Sequence, residues 1–203
     1  MSDEIFEIVN ERDEVIGQAP RREVHRRGLR HRAVHVLVFN RAGELFLQKR
    51  SMLKDCFPGT WDSSASGHLA VGETYDACAL REVVEELGWH MESPRRLFKV
   101  DACEATGQEF VWVYRVEGEG PFTLQPEEIS DGGWFGRAAI DQWLADRPQE
   151  FAPAFRLIWD RLNTPPKSGA GNSSASRQRG AARLFRTAGL MPPQCWLPAG
   201  AAE

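Results

Sequence analysis

Residues 80–89, LREVVEELGW, place Glu82, Glu85 and Glu86 three and four positions apart. On a helix such residues are neighbours, and each like-charged pair costs a few tenths of a kcal/mol in water. At about 100° per residue, the three carboxylates share one stripe. Leu80, Val83, Val84 and Leu87 fall on the other side. A helix of this kind pins itself to a core by its apolar face and offers carboxylates from the opposite one. Either a cation lies among those carboxylates or they form a solvated acidic surface. The helix is expected over residues 74–87, with Gly88 suited to its C-terminal cap.

The rest of the chain supplies elements to pack against it. IFEIVN and VIGQ flank ERDE as a small hairpin. In APRREVHRRG, Pro20 suits a first helical position and predicts one or two helical turns. HRAVHVLVFN and LFLQKR are strands around the turn RAGE, the first apolar enough to be buried. SMLKDCFPGTWDSSASGH is rich in turn formers and reads as a loop. RRLFKVDAC and FVWVYRV read as strands, TLQPEEISDGG as a loop and WF as a short strand. RAAIDQWLADR and PAFRLIWDRL close the fold as two helices. Strands and helices mix without strict βαβ alternation, which predicts an α+β fold with a mixed sheet.

Residues 1–163 suffice for one domain with a proper core. From Thr164 the composition turns to Pro, Gly, Ser and Ala. Residues 164–203 therefore read as a low-complexity, disordered tail, with docking or autoinhibition as its other possible use. That segment carries five basic residues against one acid, although the whole chain has a net charge of −4. An acidic chain argues against a general nucleic-acid partner. The start, MSDEIFEIVN, lacks the order of a signal peptide, and no apolar run reaches the length of a membrane span. Cys56, Cys78, Cys103 and Cys195 are scattered without a CxxC pair, as reduced thiols in a cytoplasmic protein would be.

Reading outward from the glutamates gives GHLAVGETYDACALREVVEELGW. This stretch resembles the Nudix box of the Nudix hydrolase superfamily, G-x5-E-x7-R-E-U-x-E-E-x-G-U, with U a bulky apolar residue. All seven fixed letters are present, and a chance match is on the order of one in a million. Trp89 stands where an aliphatic residue is more usual. The resemblance implies a Nudix α/β/α sandwich with a mixed sheet and a catalytic loop–helix–loop. It also implies that Glu82, Glu85 and Glu86 bind Mg²⁺ or Mn²⁺. Hard carboxylate oxygens suit such a cation, which neutralises a diphosphate and polarises its phosphorus. Arg81 and Glu73 would support these carboxylates as a salt bridge, and Gly67 would let its backbone approach metal or substrate. Glu82 is the first choice of general base, with Glu109, Glu127 and Glu128 as loop alternatives.

The similarity widens to roughly residues 5–160. There the chain resembles the branch of the superfamily that contains isopentenyl-diphosphate isomerases and their hydrolase-like relatives. In those isomerases a cysteine two residues before a histidine moves protons on the alkene. Here the stretch is Ser66-Gly67-His68, and a serine hydroxyl is a far weaker acid than a thiol. With the box intact, this favours hydrolysis. His31 and His68 match metal-binding histidines of the isomerases and Glu109 a metal-binding carboxylate, but Gly107 stands where a second glutamate is expected. More often such histidines are hydrogen-bonded structural or substrate-contacting groups, so His68 is read as a substrate contact, with His31 and Glu109 in support. His25 and His35 read as structural. Arg50, Lys54 and Arg21 match or suit positions that hold the diphosphate, by fork or by point charge. Phe57 and Trp61 could pack against a substrate base, although core packing is the commoner use of such rings.

The expected reaction is Mg²⁺-dependent hydrolysis of a diphosphate linkage in a nucleoside diphosphate-linked or related small molecule. The alternatives are an isopentenyl-diphosphate isomerase and a Nudix-like module that binds a diphosphate without cleaving it. No nucleic acid or membrane is expected as partner, and either a monomer or a homodimer fits the chain.

Overall fold

The computed structural model describes residues 4–164. The expected tail, from residue 165 onward, lies outside them, as does Cys195. The chain opens with the predicted hairpin, β1 (Ile5–Val9) and β2 (Val15–Pro20), followed by the short helix α1 (Arg21–Arg27). Next come β3 (His31–Phe39), β4 (Leu45–Arg50), β5 (Trp61–Asp62), β6 (Ala65–His68) and helix α2 (Tyr75–Leu87). β7 (Arg95–Val100), β8 (Glu109–Glu117), β9 (Ile129–Phe135), α3 (Arg137–Asp146) and α4 (Pro153–Asn163) complete the described fold.

The sheet runs β5-β4-β3-β8-β7, with β6 also pairing β3 and β9 also pairing β4. β3 and β8 are parallel along their whole length, and the other pairs are antiparallel. β3 is covered on both faces, which explains its unbroken apolar run. Leu37 and Phe39 face a core shared with Val111, Ile140, Phe155 and Ile158 under α3 and α4. Val34, Val36 and Val38 face a second core with Ala79, Val83 and Leu87 of α2. The result is an α/β/α sandwich with a mixed sheet.

Three segments differ from the sequence expectation. Pro20 ends β2 and precedes α1 instead of opening it. WDSSASGH is not loop throughout but carries β5 and β6, and the short WF strand extends back to Ile129. β6 has small side chains and little intrinsic strand preference; its pairing with β3 supplies the structure. β3 and β4 meet in a single register pair, Phe39 with Leu45. Where they separate, the buried Ser64 hydroxyl donates to the Phe46 carbonyl (2.5 Å) and accepts from the Val38 N–H (2.8 Å). That side chain replaces part of the missing ladder.

The hairpin is fastened to this body at Asp13, which adopts a left-handed backbone (φ 61°). Its carboxylate accepts from Arg32 Nε (2.6 Å), Tyr75 OH (2.8 Å) and Lys99. Phe6, Ala19 and Val24 form a small core beneath the hairpin.

Candidate active site

A cleft of about 870 Å³ opens where α2, β6 and the loop after β4 converge. Its lining includes Glu82, Glu86, His68, Arg50, Lys54 and Arg21. α2 is fixed at both ends. The Thr74 hydroxyl accepts from Ala77 N–H, and Gly88 closes the helix in the left-handed conformation (φ 60°).

Only part of the carboxylate stripe faces solvent. Glu82 and Glu86 are only 8% and 3% exposed, whereas the Glu85 side chain is 56% exposed. The helix thus buries two of its three glutamates against β6, contrary to an outward acidic face. A Cβ added to Gly67 would fall on the Glu82 carboxylate, so glycine is what permits this approach. Glu86 Oε2 accepts from the Ser66 N–H (2.9 Å) and from Gln48 Nε2 (3.0 Å).

Arg81 ties the cluster together. Its Nε and Nη2 donate to Glu73 Oε1 and Oε2, both at 2.9 Å. Nη1 donates to Glu82 Oε1 (2.7 Å) and Glu85 Oε2 (2.8 Å), and Nη2 also reaches the His68 carbonyl (2.9 Å). Glu73 Oε2 in turn accepts from the Ala70 N–H (2.9 Å), locking the loop before the helix. One guanidinium therefore holds the loop, the helix and the end of β6 in register.

Even so, the counter-charge beside the buried pair does not offset its burial. Burial, with the like charge of Glu86 next, pushes the Glu82 carboxyl up to about 8. Burial pushes Glu86 up to about 7 against the pull of the Ser66 N–H, Lys54 and Arg50. Cys78, packed behind them, is buried, and its thiol is pushed up by that burial.

Across the cleft lies a second cluster. β3 runs between β6 and β8, so His31 sits in register with Glu109 while Ala33 faces His68. The left-handed turn at Gly28 brings His25 back to join them. One ligand atom from each of His25, His31, His68 and Glu109 lies within 4.8 Å of the others. His31 Nδ1 is 2.9 Å from the Leu29 carbonyl. A carbonyl only accepts, so Nδ1 donates there. The His31 Nε2 is buried without a hydrogen-bond partner and lies 3.5 Å from Glu109 Oε1. Burial pushes the His68 imidazole down to about 4. Although burial would raise Glu109, the facing imidazoles hold its carboxyl well below the usual range.

The basic wall is built on the loop after β4. Arg50 Nε donates to the Cys56 carbonyl (3.1 Å), and Lys54 pairs with Glu128. Arg21 forks onto Asp55 (2.5 and 2.8 Å), which draws that carboxyl down to about 2 against its burial. Phe57 reaches the cleft, whereas Trp61 packs edge-on against Phe135 and Trp143 in the core.

Residues 29–155 match the family model described as the NUDIX domain. The chain belongs to the Nudix family. An uncharacterised Nudix hydrolase of Streptomyces coelicolor is 38% identical over 164 residues, covering 79% of this chain and 89% of its own. An isopentenyl-diphosphate Delta-isomerase of Photorhabdus laumondii is 30% identical over 173 residues, covering 79% and 93%. The crystal structure of DR0079 from Deinococcus radiodurans superposes with a TM-score of 0.72 at 29% identity, covering 79% of this chain and 100% of that one. The chain is thus a Nudix-type diphosphate hydrolase with the Nudix fold.

In this Nudix cleft, Glu82, Glu86, Arg81, Glu73 and Gly67 come together as one unit, and Arg50, Lys54, Arg21, His68 and Glu109 line the same cavity. His25, which sequence reading left as structural, belongs to the histidine cluster. Its spacing from His31 gives no metal-binding signal, because only the Gly28 turn folds it back. The donor chemistry fits two cations. Oxygens of two under-compensated buried carboxylates suit a hard ion, and three imidazoles with one carboxylate suit a borderline one. No helix among the described residues is long and apolar enough to cross a membrane.

Proposed function

We propose that this Nudix protein hydrolyses the diphosphate linkage of a nucleoside diphosphate-linked or related small molecule with Mg²⁺ (or Mn²⁺) held by Glu82, Glu85 and Glu86. The observation that carries this reading is the burial of Glu82 against Gly67 and of Glu86 against the Ser66 N–H, in a cleft also lined by Arg50, Lys54 and Arg21. When bound, the divalent ion supplies charge neutralisation and polarises the phosphorus. Arg50 and Lys54, with Arg21 at the rim, hold the phosphate oxygens. Arg81 and Glu73 keep the carboxylates on station. Glu82 accepts the proton of the attacking water. The water oxygen bonds to phosphorus, the bridging P–O bond breaks, and the leaving phosphate takes its electron pair. The histidine cluster with Glu109 supports a second cation site, and the buried Nε2 of His31, without a hydrogen-bond partner, favours it.

That cluster also favours a second reading, isomerisation of isopentenyl diphosphate; Ser66 in place of the proton-moving thiol opposes it. The scattered thiols support a cytoplasmic setting, and the acidic chain supports the lack of a nucleic-acid partner; either a monomer or a homodimer fits. We read residues 1–163 as the catalytic domain and 164–203 as its low-complexity tail.

Phosphate release is measured over nucleoside di- and triphosphates, ADP-ribose, other nucleotide sugars and isopentenyl diphosphate, with Mg²⁺ or EDTA. The last substrate is also assayed for its dimethylallyl isomer. Metal-dependent cleavage lost in Glu86→Gln supports the hydrolytic reading. Isomer formation without phosphate release overturns it in favour of the isomerase. Tight binding of a panel member with no turnover overturns it in favour of a binding module.

A further inference from the structure

Beneath the basic wall lies a buried polar floor that the proposed mechanism does not use. β4 and β5 pair Gln48 with Asp62. Two residues on, Arg50 lies on the same face of β4 as Gln48, since strand side chains alternate. Asp62 is 3% exposed, Gln48 1%, His35 4% and Ser63 0%. Asp62 Oδ2 lies 3.5 Å from Arg50 Nη1, and Oδ1 lies 3.6 Å from His35 Nδ1. Oδ1 also accepts from the Ser63 N–H (2.8 Å), and Ser63 Oγ contacts His35 Nδ1 at 2.8 Å. These three residue types do not form a nucleophilic triad. Both partners crowd one imidazole nitrogen, and Ser63 is closed to any substrate.

A buried carboxylate is costly unless it has a partner, and Asp62 has one full positive charge beside it, Arg50. The same arginine is held from above by the Cys56 carbonyl. Its guanidinium is thus gripped on two sides while its charge remains at the cleft, where it bears on Glu86. An arginine fork favours phosphate only when its plane is correctly aimed.

We propose that Asp62, braced by His35 and Ser63, is a positioning residue that aims the Arg50 guanidinium at a substrate phosphate. This rests on Arg50 being a phosphate contact. The direction of the effect is diagnostic. As a mere field, a carboxylate beside an anion site repels the anion, so its neutralisation tightens binding. As a positioning group, its neutralisation loosens the arginine and weakens binding.

The probe is imidodiphosphate with Mg²⁺, titrated by calorimetry into the full-length protein. The variants are Arg50→Ala, Asp62→Asn and the double variant, each with a thermal melt. Arg50→Ala is expected to weaken binding at least tenfold. Asp62→Asn weakens it about fivefold, with a melting temperature near that of the parent. In the Arg50→Ala background the second substitution adds nothing. Arg50→Ala binding as well as the parent, or a parent that does not bind, overturns the phosphate-contact reading itself. If Arg50→Ala weakens binding while Asp62→Asn tightens it, leaves it unchanged or adds independently, only the role of Asp62 falls. Should Asp62→Asn fail to fold, His35→Asn loosens the brace from the far side. It must weaken binding in the parent and not in Arg50→Ala; any other pattern overturns the proposal.

Discussion

Without metal, the buried glutamate pair makes this fold sensitive to rising pH. The Glu82 carboxyl sits at about 8 and that of Glu86 at about 7, against an ordinary 4.5. The folded chain therefore holds protons that the unfolded chain releases. The stability these groups allow is fully present below pH 4.5 and is lost as pH rises through 7 to 8. Each pH unit between the two states is worth about 1.4 kcal/mol per group. The two carboxyls titrate as a pair and the site relaxes, so about half the simple sum, roughly 3 kcal/mol, is expected between pH 5 and 8.5. For a chain of this size that is a fall of about 6–12 °C in melting temperature. Thermal melts in EDTA at both pH values test it, comparing the parent with a Glu82→Gln/Glu86→Gln double variant to cancel all other titrations. The parent should lose the larger amount, and Mg²⁺ should restore it most at pH 8.5 and only in the parent. Parallel melting curves for parent and variant would refute the reasoning.

Three further outcomes follow from particular contacts. Gly67→Ala puts a Cβ on the Glu82 carboxylate. Metal-dependent kcat/KM should fall about 100-fold, because displacements near 1 Å carry penalties of that order, and unchanged kinetics contradict the need for glycine there. Arg81→Lys keeps the charge but loses the fork that joins Glu73, Glu82 and the His68 carbonyl. Urea melts should show a loss of about 2 kcal/mol, and an unchanged midpoint speaks against Arg81 as the tie. Asp13 is drawn below 3.8, against its burial, by Lys99, Arg32 and Tyr75. Its contribution is therefore present above pH 3.8 and lost as pH falls through its lower folded value. Asp13→Asn should lower stability at neutral pH and flatten the acid side of the curve; equal acid sensitivity in both proteins excludes the latch.

Where sequence reading succeeded, the determinants were local. Gly88 closes α2 through a contact within one turn, and the apolar stripe of Val83 and Leu87 needs only helical periodicity to be seen. The continuous run from His31 to Phe39 marked a buried central strand, and the spacing from Gly67 to Trp89 carried the family resemblance. What the sequence left open were relations between segments distant along the chain. β6 is a strand because β3 pairs with it, and its own small polar residues carry no such preference. Trp61 packs in the core against Trp143 while Phe57, in the loop before β5, lines the cleft, a choice that depends on what lies across from each ring. His25 reaches His31 and His68 only through the turn at Gly28. The acidic stripe of α2 was legible, but its meaning was not. The close approach of Gly67 takes Glu82 out of water, the Ser66 N–H and Gln48 do the same for Glu86, and Glu85 stays in it. The sequence by itself determined which carboxylates share a face; only the tertiary structure decided which are buried, because burial depends on what packs across from them.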